Sequence, residues 1–192
     1  IIVPQSRWTL QRELPLILED AENGLPTLAR SLIGECYAHL KLLNQRIDES
    51  ELGFDIIAKH SETVQRLMTI PGVGAQTATA IVASVGRAQH CDSARDFAAL
   101  LGLVPRQYST GGKPRLGRIT KRGDKYLRML LIHGTRAVLA TIKDKQDRLS
   151  LWCKALIERR GYKRATVALA AKNARIIWAI LQSGKEYKAF AA

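Results

Sequence analysis

The stretch Tyr108-Ser109-Thr110-Gly111-Gly112-Lys113 sets hydroxyl groups beside two glycines in a segment crowded with cations. Arg106, Lys113, Arg115, Arg118, Lys121, Arg122, Lys125 and Arg128 all fall within residues 106–128, where Asp124 is the sole acid. A serine that attacks a phosphodiester needs these residue types together. Glycines without a Cβ let the phosphate come close, and guanidinium and ammonium groups offset the charge that grows on the phosphoryl oxygens. The same residues also suit a plain turn in which Ser109 and Thr110 only hydrogen-bond a phosphate. Local chemistry leaves both readings open. Tyr108 is likewise either a platform for a base or an anchor for the turn.

A second chemical feature lies upstream, at Ile70-Pro71-Gly72-Val73-Gly74 between two helical stretches. It resembles a helix-hairpin-helix motif. Gly72 and Gly74 allow a tight turn and a close backbone approach. The amides that open the next helix then face an anion at the helix's positive end. Ile70 and Val73 anchor the turn inward, and such a contact grips the nucleic-acid backbone without reading bases. An ordinary helix–turn–helix joint is the alternative. Ala75, Gln76 and Thr77 carry no charge, so cations must come from elsewhere.

They come from the C-terminal half. Residues 1–104 hold 9 Lys and Arg against 12 Asp and Glu, a balance of −3, whereas residues 105–192 hold 21 against 5, a balance of +16. Charge so polarised repels itself unless a polyanion neutralises it, which points to nucleic acid, with a merely solvated basic surface as the alternative. Arg159, Arg160, Lys163 and Arg164 form a further basic corner around Gly161. Cys36, Cys91 and Cys153 fit neither a zinc spacing nor a disulfide framework and read as buried, reduced thiols. His39, His60 and His90 show no ligand spacing, and His133 reads as a core or boundary residue. No apolar run is long enough to cross a bilayer, so no membrane partner is expected.

The elements that must position these groups are mainly α-helical. The spacings predict a lead-in over residues 1–25, a coiled-coil-like helical arm over 26–63 and a helical domain over 64–192. On the arm, Leu28, Leu32, Cys36, Leu40, Leu43 and Ile47 form one stripe, and Gly53 breaks or kinks the path. In the domain, helices are expected at 76–85, at 93–101 with Ser93 as cap and Asp96 at its third position, at 124–142, 148–160 and 163–181. Between them, residues 102–123 form a Gly- and cation-rich loop with a short β-hairpin over 108–119 turning on Gly111-Gly112.

Phe97-Ala-Ala-Leu-Leu-Gly-Leu-Val-Pro-Arg-Gln-Tyr-Ser109-Thr-Gly-Gly-Lys113, followed by Gly117-Arg-Ile-Thr-Lys-Arg-Gly-Asp-Lys-Tyr-Leu-Arg128, resembles the C-terminal domain of insertion-sequence family one-hundred-ten transposases. The resemblance runs over roughly residues 64–181. It implies a bridge-RNA-guided DNA recombinase in which a serine of this loop is the strand-transfer nucleophile, and the matching position is Ser109. Thr110 stands where a second serine is often found. Nucleic-acid binding is expected at Gly72, Val73, Gly74, Arg106, Tyr108, Lys113, Arg115, Arg118, Lys121 and Arg122. The resemblance also implies an N-terminal RuvC-like nuclease domain with a metal site. The acids of residues 1–104 show no such pattern, so the chain is expected to be a fragment that binds DNA without turnover. No cofactor is expected in this chain, with Mg2+ only in the missing nuclease domain. DNA, a guide RNA and further copies of the chain through the arm are the expected partners, in the prokaryotic cytosol beside the nucleoid. A non-catalytic helix-hairpin-helix module and a structural RNA-binding protein are the competing readings.

Overall fold

The computed structural model describes residues 6–108, 112–113 and 115–188. The chain divides into two compact units, Ile1–Leu52 and Gly53–Ala192. Helix α1 (Arg7–Glu19) and most of α2 (Thr27–His60) make the first, and α2 runs on across the division.

In the first unit, α1 passes straight through Pro15, where the sequence suggested a looser lead-in. Proline has no N–H for the carbonyl four residues back, which is that of Gln11. The Tyr37 hydroxyl on α2 donates to that carbonyl at 3.0 Å and closes the gap. The last turn of α1 is finished in a similar way. Arg30 Nη1 donates to the carbonyls of Ile17 (3.0 Å) and Leu18 (2.6 Å), groups that a helix end leaves without partners. Leu10 and Leu14 meet Ile33, Tyr37 and Leu40 along a shallow apolar groove. Leu28, Leu32, Leu43 and Ile47 of the expected seam remain exposed. Cys36 is also exposed, against the expectation of a buried thiol, because the groove between α1 and α2 that it lines is shallow and open.

Gly53 does not break α2. One glycine inside a helix costs about 1 kcal/mol, too little to stop a run of 34 residues. The break falls at Ser61, whose hydroxyl accepts from Val64 N and caps α3 (Glu62–Met68).

The second unit continues with α4 (Ala75–Val85), α5 (Ala94–Leu100), β1 (Pro105–Gln107), β2 (Leu116–Ile119), α6 (Lys125–Ala140), α7 (Arg148–Arg160) and α8 (Tyr162–Ser183). Ser93 caps α5 through Asp96 N, Asp124 caps α6 through Leu127 N, and Asp147 caps α7 through Leu149 N and Ser150 N. α8 is the central post, packed by α3, α5, α6 and α7. Its buried Ala165, Ala170 and Ala174 let neighbours approach closely, while Leu169 and Ile177 supply bulk. The main core gathers Leu67, Ile70, Ile81, Phe97, Leu101 and Leu131 with the second half of α8. A smaller one sets Leu139, Ile142 and Cys153 against Ala165 and Leu169. His133 is exposed rather than at the core boundary, because two residues along a helix turn about 200° from Leu131, to the opposite face. Among the described residues no helix is long and apolar enough to cross a membrane.

Candidate nucleic-acid interface

The basic segment is a two-stranded antiparallel hairpin. Pro105 pairs with Ile119 and Gln107 with Leu116, so β2 carries one extra residue, a bulge that twists the ribbon. Ser109, Thr110, Gly111 and Pro114, which follow β1 and precede β2 in sequence, lie outside the described residues. The flanks are described. Arg106, Tyr108, Lys113, Arg115 and Arg118 are exposed on the hairpin, and Lys121 and Arg122 are exposed at its root. Among the described residues, Lys113, Arg118, Lys121 and Arg122 form no ion pair. A Cβ at Gly117 would lie 3.4 Å from the Tyr108 ring, so the ring lies over β2 at the glycine, and the residue stays 62% exposed.

Strands of three and four residues hold little by themselves, so the root must set the hairpin's direction. Gly102 (φ +67°) and Gly123 (φ +91°) both lie in the left-handed region, and a Cβ on either would overlap a backbone oxygen, of Arg122 and Leu100 respectively. The two chains can therefore close. Thr120 N donates to Val104 O (2.9 Å), Lys121 N to Gly102 O (3.1 Å) and Asp124 N to Leu100 O (3.2 Å). Lys121 itself takes φ +56°, a conformation that L side chains avoid and that these bonds hold in place. Arg128 completes the clamp. It is buried, and its Nη1 donates to the Leu101 carbonyl at 2.9 Å, so this cation of the basic run serves the fold and not a phosphate.

The glycines of the upstream turn have different jobs. Gly72 (φ +85°) lies against α6, where an added Cβ would meet the Gly134 carbonyl oxygen at 2.8 Å and Val138 at 2.9 Å. Its missing side chain is used for packing. Gly74 is exposed with open space around it, and as the N-cap of α4 it brings no side chain to the first-turn amides. Val73 is buried with Ile70, as anchors should be. Behind the turn, the fully buried Asn173 of α8 donates Nδ2 to the Pro71 carbonyl at 2.9 Å, and its Oδ1 has no hydrogen-bond partner among the described residues.

Helix α6 joins these two features. The hairpin root ends on its first turn, at Asp124 and Arg128, and the glycine turn rests on Gly134. Gln76 Nε2 of α4 reaches the Tyr126 hydroxyl at 3.3 Å, linking the opening turns of α4 and α6. Tyr126 and Gly134 are eight residues apart, about 12 Å along the helix. The exposed Arg159, Arg160, Lys163 and Arg164 stand at the α7–α8 joint, whose Tyr162 hydroxyl donates to the Arg136 carbonyl of α6 at 3.2 Å. Gly134, Asn173 and Arg128 were missed as positioning residues in the sequence. A glycine inside the apolar stripe of α6 was the legible sign of a close approach.

No three His, Cys, Asp or Glu side chains converge among the described residues, so these residues do not fit the Mg2+ site that the resemblance implies elsewhere in such proteins. Burial raises the Cys91 and Cys153 thiols and keeps them protonated at neutral pH, which suits packing rather than nucleophilic attack.

The family model described as transposase IS116/IS110/IS902 matches residues 64–150, a span that contains the glycine turn, the hairpin and α6. The transposase for insertion sequence element IS1111A of Coxiella burnetii is 47% identical over 176 residues, which cover 92% of this chain and 48% of that protein. A probable family 20 transposase of Pseudomonas aeruginosa is 45% identical over 85% of this chain and 48% of its own length. The transposase for insertion sequence element IS1328 of Yersinia enterocolitica is 39% identical, with coverages of 85% and 49%. The chain thus spans about half the length of the curated relatives it matches. Residues 64–150 are a transposase domain of the IS116/IS110/IS902 family.

Proposed function

We propose that this chain supplies the serine-bearing half of a DNA transposition reaction. The observation that carries the reading is the basic hairpin, clamped at its root and exposing Arg106 before residue 109 and Lys113 and Arg118 after it, none of the three in an ion pair among the described residues. Ser109 Oγ bonds to phosphorus as a deoxyribose oxygen leaves with the serine's proton, and the DNA end is conserved as a phosphoserine ester. Arg106, Lys113, Arg115 and Arg118 offset charge on the phosphoryl oxygens. Lys121, Arg122 and the open start of α4 at Gly74 grip flanking backbone.

In this reading the metal-dependent nuclease function lies outside residues 1–192, within the half of the relatives' length that this chain does not span. The same reading gives the chain a guide RNA, a place beside the prokaryotic nucleoid, and self-association through the exposed Leu28, Leu32, Leu43 and Ile47. In a protein that joins this chain to the remaining half of a relative's length, Ser109→Ala abolishes strand exchange and leaves DNA binding intact. Recombination by that variant at the parental rate would refute the nucleophile and leave a binding module.

A further inference from the structure

On the second unit, away from the hairpin, a groove of about 1070 Å³ opens between the start of α7, the second half of α8 and the segment 184–188. Its floor is apolar, with Leu149, Ile176 and Ile180. Trp152 stands on its wall at 36% exposure, and the Lys172 ammonium lies 4.6 Å from the centre of the indole ring. Arg148, Lys185 and Lys188 add cations to the rim, against Asp147 and Glu186. Asp147 is engaged in capping α7: it accepts from Leu149 N and Ser150 N, and from Ser150 Oγ at 2.6 Å. The outer wall is tied down. Tyr187 is half-buried, and its N–H donates to Thr69 Oγ1 at 3.0 Å, one residue before the glycine turn begins.

An apolar floor, an aromatic wall and a cationic rim in one groove select a ligand that is flat and apolar on one side and anionic on the other. Paired duplex hides its base faces and offers the outside only phosphates and base edges, so it leaves the floor unused. Unpaired nucleotides use all three. The volume is at the upper end of the roughly 300–1,000 Å³ of small-molecule sites, and the open groove has room for a short run of strand. A second copy of the same half is disfavoured, because residues 105–192 carry a balance of +16 and repel their like.

We infer that this groove binds unpaired nucleotides of a single strand, with a base stacked at Trp152. The base takes the place of Lys172 on the indole, and the released ammonium joins Arg148, Lys185 and Lys188 on the phosphates. The inference rests on the nucleic-acid-binding part of the function proposed above and not on Ser109.

The test uses the full 192-residue chain and fluorescence anisotropy with labelled oligo-dT and oligo-U of about 12 nucleotides, beside a short duplex. Trp152→Ala weakens binding of the single strands about tenfold, the low end of what one stacked base contributes, and leaves the duplex unchanged. Trp152→Phe restores most of the loss. The double variant Lys172→Gln/Lys185→Gln, which keeps the indole, lowers the slope of log affinity against log salt for single strands by about 1.4, or about 0.7 for each phosphate that is no longer neutralised. A tighter grip on oligo-U assigns the strand to RNA and a tighter grip on oligo-dT assigns it to DNA; either supports the groove. If both variants leave single-strand binding untouched, or weaken strand and duplex alike, the groove is not the site. Failure of the parental chain to bind duplex, with the Trp152 effect on single strands present, would overturn the proposed function and spare this inference.

Discussion

Gly134→Ala reverses the usual effect of filling a helical glycine. Inside a helix that change is worth about 1 kcal/mol in favour of the folded state, through propensity alone. At Gly134 the new methyl would overlap the Gly72 carbonyl oxygen and lie 2.9 Å from its carbon, closer than real Cβ atoms come to a neighbour. Both partners are backbone, so no side chain can swing away. The turn at residues 70–74 has to move off α6, at an overpacking cost of about 1–3 kcal/mol. Movement also strains the 2.9 Å bond from Asn173 to Pro71. Asn173 already has one unpartnered buried atom, and a second costs a further ~1–3 kcal/mol. Set against the propensity gain, the net loss is about 1–5 kcal/mol. Urea unfolding followed by Trp178, whose indole N–H donates to the Cys91 carbonyl in the same unit, would show a midpoint lower by on the order of 1–2 M. Gly53→Ala is the matched control. Nothing lies within 4 Å of its Cβ position, and it should hold or raise stability by up to about 1 kcal/mol. A Gly134→Ala chain as stable as the parent would show that the turn does not rest on α6 as described.

Three other perturbations separate fold from surface. Arg128→Met removes the buried donor to Leu101 and should cost about 1–3 kcal/mol in urea unfolding; Arg118→Gln should leave stability unchanged and lower the salt slope of duplex binding by about one, and an equal effect of the two on stability would overturn the division. Asp147 has its pKa lowered, first by the Ser150 hydroxyl and then by backbone N–H groups. Its contribution is therefore present above the ordinary Asp pKa and is lost as pH falls through the lower folded value, whereas Asp147→Ala, about 1 kcal/mol less stable at pH 7, should lose that acid-side dependence in pH-resolved melting. Tyr37→Phe uncovers the Gln11 carbonyl that Pro15 cannot serve and should cost about 1 kcal/mol; in the Pro15→Ala background, where the helix supplies its own donor, the same change should cost less, and equal costs in a double-mutant cycle would disprove the compensation.

Much of the second unit was legible in its sequence, because its helix boundaries are local. Ser93 with Asp96, and Asp124, satisfy amides within three residues of themselves, and Gly86 and Gly161 end helices by their own backbone freedom. The first unit was less legible for the opposite reason. The continuation of α1 through Pro15 depends on a hydroxyl 26 residues away in sequence, which no local pattern encodes. In the candidate site, the cations could be counted but not sorted. Arg128 and Arg122 are both basic residues of one run, yet Arg128 is buried on a carbonyl and Arg122 is exposed. The two glycines of the turn could not be told apart either, since what distinguishes Gly72 from Gly74 is Gly134, 62 residues downstream.

That sorting bears on how a serine at the tip could work at all. A hairpin of seven paired-strand residues with a bulge cannot aim its own tip, and a nucleophile misplaced by an ångström loses much of its rate. The aim must come from the root, where Gly102, Gly123 and Arg128 lock the strands to the end of α5 and the start of α6. α6 in turn carries the Gly134 seat of the glycine turn, so in the proposed function a phosphate held near Gly74 and one presented to Ser109 would both be referred to one helix. In a protein that joins this chain to the remaining half of a relative's length, loosening α6 at Arg128 or at Gly134 should therefore lower strand exchange more than it lowers DNA affinity. Arg128→Met and Gly134→Ala, assayed below their unfolding midpoints, should share that signature, whereas Arg118→Gln should lower affinity and rate together.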